Sequence, residues 1–483
     1  MLTEEGMMMF LGRTDELEWL NGRYTSDKPE FIVLYGRRRI GKSSLLREFT
    51  HGKPHLFYTA VQTTDTVQLT RMSAVVNAGL GSEPYGRTFP DWENLFRFIS
   101  DHVPEKEKLI IVFDEFPYAV QGNTSLPSVL QLLWDQFFSQ RNVLFILCGS
   151  SMSFMEKEIL SEKNPLYGRT TGILKLEELS FEASRPFFGT GSISEHLQAY
   201  SVFSGVPYYL SLYDARFGFQ ENLKRQLLQN GSVLFHEAEF LLRQELREVG
   251  MYNAVIEAVA SGDTRMNDIS GKTGIDRHKL SYYLDGLMDL GIVRREYPVT
   301  MKTKEMAKSR SGLYKLDNGY FRFFYAYVHP YMSELLEGAS DTILSEIVLP
   351  ALPTFVSQEF ERLAIRDIRN LGLKKKLPFI PIRIGRWWER STEIDLLAYD
   401  LHGNRLFGEC KWRNERAGVS VLKQLQSKSM AVHPDTVSSA ARDYFVLFSK
   451  TGFTDELLAM ATPSEPLFLI DYSGETQQYI GFP

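Results

Sequence analysis

Gly36-Arg37-Arg38-Arg39-Ile40-Gly41-Lys42-Ser43 is a complete G-x-x-x-x-G-K-[ST] phosphate-binding loop, and its setting decides the fold class. The apolar run Phe31-Ile32-Val33-Leu34-Tyr35 precedes it and the helix-like Ser44-Leu45-Leu46-Arg47-Glu48-Phe49 follows it. This strand-loop-helix order lets backbone N–H groups close around a polyphosphate at the positive end of a helix dipole. Lys42 reaches the terminal phosphates and Ser43 offers its hydroxyl to Mg²⁺. The whole loop, Ile40 included, and Ser44 at the helix start are candidate nucleotide contacts. Arg37, Arg38 and Arg39 can add field at the phosphates or face solvent or a neighbouring subunit, an arrangement open to a homo-oligomer. The expectation is an α/β protein with a parallel sheet that binds ATP and Mg²⁺.

Further along, Leu109-Ile110-Ile111-Val112-Phe113 has the pattern of a strand buried on both faces, and it delivers Asp114-Glu115 at its C-terminal end. In a parallel sheet that edge is where ligands sit. Asp114 is placed to hold Mg²⁺ through water and Glu115 to polarise the attacking water, because phosphoryl transfer needs charge neutralisation and an in-line nucleophile. His55-Leu56-Phe57-Tyr58-Thr59 and Val143-Leu144-Phe145-Ile146-Leu147-Cys148 read as further strands. A strand inserted between the loop strand and the carboxylate strand marks the P-loop proteins that use a catalytic glutamate. Ser150 then either touches the γ-phosphate or the water, or caps the next helix.

The chain has 483 residues, more than one core, with 43% hydrophobic and 24% charged residues. Its net charge of −6 excludes a basic footprint over the whole molecule, so contact with nucleic acid must come from local patches. Two cysteines, Cys148 and Cys410, each in an apolar strand-like segment, form no disulfide framework and fit a reducing cytoplasm. No apolar stretch approaches membrane-spanning length, and Met7-Met8-Met9-Phe10 is too short for a signal segment.

Phe10-Leu11-Gly12-Arg13 with Glu16-Leu17, the loop, Asp114-Glu115, Gly149-Ser150-Ser151, Pro165-Leu166-Tyr167-Gly168-Arg169 and Gly205-Val206-Pro207-Tyr208-Tyr209-Leu210 resemble the archaeal-type AAA+/STAND-like ATPases over residues 1 to 240. The resemblance implies that Gly12 and Arg13 lie by the nucleotide. It also makes Arg169 a candidate phosphate-sensing or finger arginine, as opposed to a surface arginine after a turn.

From Tyr252 short helices follow. Asp276 is a good N-cap for a helix with Leu280, Tyr283, Leu284, Leu287 and Met288 on one face, and Ile292-Val293 and Leu313-Tyr314-Lys315-Leu316 read as two wing strands. A winged helix is expected. Arg277, His278 and Lys279, with Arg294, Arg295, Lys302, Lys304, Lys308 and Arg310, make DNA contact physically open to it, the alternative being a packing or relay element. The aromatic run Tyr320 to Tyr327 reads as a core or interface helix.

Leu349-Pro350-Ala351-Leu352-Pro353 marks a boundary. Beyond it, Thr392 to Tyr399 and Arg405 to Trp412 read as two strands joined at Asp400-Leu401-His402-Gly403-Asn404. A hairpin centred on His402 sets Asp395 opposite Glu409, with Cβ atoms about 4.5–5.5 Å apart, close enough to share a divalent cation. Period two puts Lys411 on the face of Glu409 and turns Cys410 and Trp412 to the apolar side. Asp395-x₁₃-Glu409-x-Lys411 is the PD-(D/E)XK nuclease signature, in which Mg²⁺ or Mn²⁺ polarises the phosphate while the lysine activates water or steadies developing charge. On the preceding helix, expected from about Phe355 to Leu371, periodicity does not choose between Glu359 and Glu361. Phe360-Glu361, Ile384-Gly385-Arg386-Trp387-Trp388, Glu393-Ile394-Asp395 and Gly408-Glu409-Cys410-Lys411-Trp412 resemble the nuclease-like domain fused to archaeal-type ATPases, which favours Glu361 as the further metal ligand. Gln424 resembles an accessory glutamine of such nucleases, or is a solvated helix residue. Between Arg362 and Lys428 fifteen Lys or Arg stand against seven Asp or Glu, a local excess suited to phosphates.

The expected organisation is a P-loop ATPase core over 1–185, a helical lid over 186–245, a winged helix over 246–335 and an α/β restriction-endonuclease-like domain over 345–483. The expected function is ATP hydrolysis coupled to a metal-dependent nuclease acting on DNA. The alternative is a nucleotide switch that binds DNA or protein through a C-terminal domain that does not cut.

Overall fold

The structure, a computed structural model, describes residues 10–81, 88–306, 309, 311–432 and 441–482. Lys308, Arg310 and the Met7-Met8-Met9 run lie outside the described residues. Two compact units form: Met1–Ser184 with Gly205–Tyr208, and Arg185–Ser204 with Tyr209–Pro483. Residues 186–245, expected as a lid of their own, thus belong to the second unit apart from 205–208. The reason is close packing of the helix Ile193–Phe203: a Cβ on Gly319 would stand 2.4 Å from the Ser201 carbonyl oxygen, and Asn318 Nδ2 donates to Ser204 Oγ at 3.1 Å.

The first unit is built on five parallel strands, β1 (Glu30–Tyr35), β2 (His55–Thr59), β3 (Leu109–Asp114), β4 (Val143–Gly149) and β5 (Gly172–Lys175), in the order β2-β3-β4-β1-β5. Alternation sends Phe31, Val33 and Tyr35 into one apolar cluster and Ile32 and Leu34 into another, so β1 is buried on both faces. β4 lies between β1 and β3, and the phosphate loop, Asp114-Glu115 and Gly149-Ser150 all leave the C-terminal edge of the sheet.

In the second unit the helices Val249–Ala260, Met266–Thr273 and Arg277–Asp289 precede the antiparallel pair β6 (Val293–Glu296) and β7 (Leu313–Leu316). Asp276 caps the third helix by accepting from the His278 N–H at 2.9 Å. Tyr320, Phe321, Phe323, Phe324 and Tyr325 are buried. The connection after β6 does not stand free as a wing. The Val299 N–H donates to the Arg386 carbonyl at 2.9 Å and the Val299 side chain enters the C-terminal core, covering the edge strand β8 (Arg383–Glu389).

That edge opens a six-stranded sheet with β9 (Thr392–Tyr399), β10 (Arg405–Lys411), β11 (Asp443–Ser449), β12 (Leu467–Asp471) and β13 (Gln478–Ile480), ordered β13-β12-β11-β10-β9-β8. One face buries Leu397, Phe407, Leu425, Leu447 and Leu469. The other takes the helix Leu349–Leu373, whose Phe360 ring lies 5.2 Å from Trp412 and 5.0 Å from Tyr472. Pro350 and Pro353 lie inside this helix instead of marking its boundary. Pro350 is in the first turn, where backbone N–H groups have no intrahelical partner to lose.

Gly205 is pinned in the first unit: its N–H donates to Glu178 Oε2 at 3.2 Å, and an added Cβ would stand 2.0 Å from the Leu179 carbonyl oxygen. Because the obstacle is backbone, Gly205→Ala is expected to destabilise that unit by about 1–3 kcal/mol, read as a lower denaturant midpoint at unchanged slope.

Candidate functional site

The phosphate loop is closed on itself by its own polar groups. Lys42 is buried and donates to the carbonyls of Gly36 at 2.9 Å and Arg37 at 3.0 Å. Ser43 Oγ donates to Asp114 Oδ2 at 2.7 Å. Gly41 sits at φ 87°, a conformation that favours glycine, and turns the chain into the helix Lys42–Thr50. Ile40 is buried beneath the loop and Ser44 is exposed at the helix start. Glu115, held in the left-handed region at φ 52°, donates its N–H to Asp114 Oδ1 at 3.0 Å and accepts from Ser150 Oγ at 2.7 Å. Loop, Asp114, Glu115 and Ser150 are therefore one connected set, with glycines where a cradle needs them and an ammonium, a hydroxyl and two carboxylates suited to ATP and Mg²⁺.

Arg13, 5% exposed, joins this set. It donates to the Ile40 carbonyl at 3.0 Å and the Glu177 carbonyl at 2.6 Å and pairs with Glu16 at 2.7 Å, while Gly12 beside it packs on Leu179. The three loop arginines are half-buried and each is pinned. Arg37 pairs with Glu178 at 3.2 Å, Arg38 donates to the Tyr118 hydroxyl at 2.7 Å, and the Arg39 guanidinium lies 4.6 Å from the Tyr208 ring centroid.

Arg169 is not brought to this site. Its Nε and Nη2 grip Asp135 at 3.0–3.2 Å, and Nη1 donates to the Pro165 and Tyr167 carbonyls. The segment after it starts β5, with the Thr171 N–H on the Phe31 carbonyl, so Arg169 sits at the N-terminal edge of the sheet. Roughly 13 Å of strand, Phe31 to Tyr35 at about 3.3 Å per residue, separates that edge from the loop. A carboxylate in reach satisfies the planar fork that was expected to meet phosphate.

The C-terminal acids meet on the sheet of the second unit. β9 and β10 pair from Arg405↔Tyr399 to Gly408↔Leu396, the register of a hairpin centred on His402. There the ladder stops: Asp395 Oδ2 accepts the Cys410 N–H at 2.9 Å, a side-chain oxygen taking the place of a strand carbonyl. Glu409, 6% exposed, is held by Lys411 at 2.8 Å and by Lys428 at 2.9 and 3.0 Å. Glu361 lines the same cleft as Asp395 and pairs with Arg386 at 3.3 Å. Glu359 instead pairs with Arg362 at 3.3 Å. Burial and then the neighbouring Asp395 push the Glu361 carboxyl up to about 7 against the pull of Arg386. Burial and Glu409 raise Asp395, opposed by the Cys410 N–H and by Lys411 and Lys428.

Among the described residues no three His, Cys, Asp or Glu side chains converge closely enough to share a metal ion. The expected ligand set Glu361, Asp395, Glu409 is thus not assembled, because ammonium groups occupy both oxygens of Glu409. Gln424 is exposed; Lys428, one turn further along the helix Val419–Ser429, reaches the acids instead. Sequence reading missed Lys428 and also Glu296 of β6, which accepts from Lys315 at 3.1 Å and Arg386 at 3.2 Å. Neither has a local signal, since each is brought in by another element. Arg277, His278, Lys279, Lys302 and Lys304 are exposed, whereas Arg294 pairs with Asp317 and Glu296 and Arg295 donates to the Ser309 carbonyl.

Two predictions follow from these contacts. Arg169→Ala leaves the steady-state ATP hydrolysis rate within about twofold of wild type. Glu361, an acid whose folded value lies above its unfolded one, binds its proton more tightly when folded. Stability of the second unit should therefore decline as pH rises from about 4.5 to about 7, and Glu361→Gln should flatten that slope in denaturation followed across the range.

A sequence family described as an ATPase domain predominantly from Archaea matches residues 10–212, and one described as archaeal and bacterial proteins of unknown function matches 324–426. The uncharacterized protein MJECL04 of Methanocaldococcus jannaschii is 32% identical over 430 residues, covering 88% of this chain and 93% of that one. The uncharacterized ATP-binding protein MJ0423 of the same organism is 44% identical over 48 residues, 10% of this chain and 81% of that one. Among solved structures, the Walker-type ATPase PABY2304 of Pyrococcus abyssi is similar at TM-score 0.49 and 20% identity, covering 65% of this chain and 96% of that chain. The ORC2 protein of Aeropyrum pernix is similar at TM-score 0.42 and 14% identity, covering 70% and 97%. Neither structural likeness is close enough to carry an argument about function. Among the described residues no helix is long and apolar enough to cross a membrane. The chain belongs to the family of MJECL04, and its N-terminal unit is an archaeal-type ATPase domain.

Proposed function

We propose that this ATPase controls a metal-dependent phosphodiesterase of PD-(D/E)XK type formed by residues 345–483, with a winged helix over 246–335 as relay and with DNA as substrate. The observation that carries the reading is that Asp395, Glu409 and Lys411 stand together at the end of one broken ladder and that Glu361 lines the cleft that Asp395 lines.

In the ATPase half, Lys42 and the loop N–H groups would hold the polyphosphate, Ser43 and Asp114 would hold Mg²⁺, and Arg13 braces the loop at Ile40. Glu115, oriented by Ser150, takes the proton of the attacking water. In the C-terminal half, Glu361 and Asp395 suit a divalent cation because burial and like charge oppose the ionisation of both. Bound there, Mg²⁺ or Mn²⁺ would supply charge neutralisation at the phosphate. Lys411, resting on Glu409, steadies charge that develops on the phosphodiester or orients its water.

A second reading is favoured by the two lysines on Glu409. They close the acid cluster with ammonium groups, as expected of a nucleotide switch that binds DNA or protein through a domain that does not cut.

A nuclease assay on single- and double-stranded DNA with Mg²⁺ or Mn²⁺, with and without ATP, separates the two. Cleavage that falls about 10²-fold or more in Lys411→Ala while ATP hydrolysis is retained supports the first reading. Cleavage at the wild-type rate in that variant contradicts it, and absence of cleavage on every substrate leaves the second. Glu115→Gln should lower ATP hydrolysis by about 10²-fold or more and leave nucleotide binding intact, checked by nucleotide titration.

A further inference from the structure

The cleft that holds Glu361 and Asp395 continues to a cationic end which the proposed chemistry does not use. Its volume is about 750 Å³, and Arg294, Arg322 and Arg362 line it with Asp317 and Glu359. Arg362 is well partnered, donating to the Asp317 and Leu316 carbonyls at 2.6 and 3.1 Å and pairing with Glu359. Arg294 pairs with Asp317 at 3.2 Å. Arg322 has no acid. It is 8% exposed, its guanidinium carbon lies 4.4 Å from the Phe355 ring centroid, and Nη1 reaches only the neutral Gln358 Oε1 at 3.3 Å. Its Nε and Nη2 have no acceptor among the described residues.

A buried guanidinium left without acceptors is costly, and two further arginines beside it add to the cost. Burial and then Arg362 hold the Arg322 guanidinium down to about 10. Arg294 and Arg362 are matched by Glu296, Asp317 and Glu359, and Arg322 is the guanidinium left with free donors. A planar fork with free donors on a flat aromatic face is suited to phosphate.

We propose that this end of the cleft is a phosphate-binding site for a nucleotide, delivered either by the end of a single strand or as a free nucleoside monophosphate, with Arg322 as its anchor. The cleft as a whole holds about 750 Å³, the size of a site for one small ligand such as a nucleotide. A strand end can enter such a site, whereas a duplex would first have to unpair a nucleotide. The identity of the ligand rests on the nucleic-acid reading above, whereas the anion site rests on Arg322 alone.

The test is fluorescence anisotropy of a short 5′-labelled single-stranded DNA on the full chain in EDTA, where no metal-dependent cleavage occurs. The same sequence as a duplex is the comparison, and a nucleoside monophosphate is the competitor. The single strand is expected to bind more tightly than the duplex, about tenfold or more weaker to Arg322→Gln, and at an intermediate level to Arg322→Lys, which keeps charge and loses the fork. Competition by the monophosphate identifies free nucleotide as the source, and its failure identifies the strand end. Retained binding in a wild-type chain that cleaves no DNA substrate counts against the nuclease reading and not against this site. Unchanged binding in Arg322→Gln, duplex binding as tight as single-strand binding, or no binding of any probe overturns the proposal. Should Arg322→Gln fail to fold, Gln358→Glu at an exposed position sets a carboxylate on the guanidinium. The same weakening is expected there, and unchanged binding again overturns the proposal.

Discussion

One hydrogen bond organises the C-terminal unit: the Cys410 N–H is given to the Asp395 carboxylate and not to a strand carbonyl. It ends the β9–β10 ladder at Gly408 and draws a charged oxygen into the sheet next to Glu409. The like charges that result are met from four directions, by Lys411 on the same strand, Lys428 from the following helix, Arg386 from β8 and Lys315 through Glu296 from the β6–β7 pair. Removing water from two acids is costly, and an architecture that nevertheless holds them together surrounds them with cations.

The N-terminal unit solves a related problem differently. Its cations and acids are spread along the C-terminal edge of a parallel sheet, where strand order fixes their spacing. β4 between β1 and β3 separates the loop from Asp114-Glu115 by one strand and supplies Ser150 to orient Glu115. Lys42 on the loop carbonyls and Ser43 on Asp114 are contacts that a bound nucleotide and Mg²⁺ would exchange for stronger ones. Gly205 to Tyr208 returns to this unit and sets Pro207 against Gly41 and Tyr208 beneath Arg39, so the loop is packed on two sides.

Much of this was legible in the sequence wherever local spacing dictates geometry. The loop, the apolar runs ending in Asp114-Glu115 and Gly149-Ser150, the Asp276 cap and the hairpin centred on His402 are all set by neighbours within a few residues. Contacts made across the fold were not legible. Arg169 has the chemistry of a phosphate sensor, but the strand it introduces carries it to the far edge, where Asp135 takes it. Pro350 and Pro353 read as a boundary and are absorbed in the helix Leu349–Leu373. Arg294 and Arg295 read as wing cations and turn onto their own hairpin. The roles of Lys428 and Glu296 and the free donors of Arg322 depend on elements that meet only after folding.

The central proposal is that Glu361 and Asp395, which line one cleft, take a divalent cation among the cationic side chains around them. Calorimetric titration of Mn²⁺ into the nucleotide-free protein tests this most directly. The account predicts a saturable site that disappears in Asp395→Asn and remains in Lys42→Ala. Absence of Mn²⁺ binding, or binding indifferent to Asp395→Asn, would contradict it.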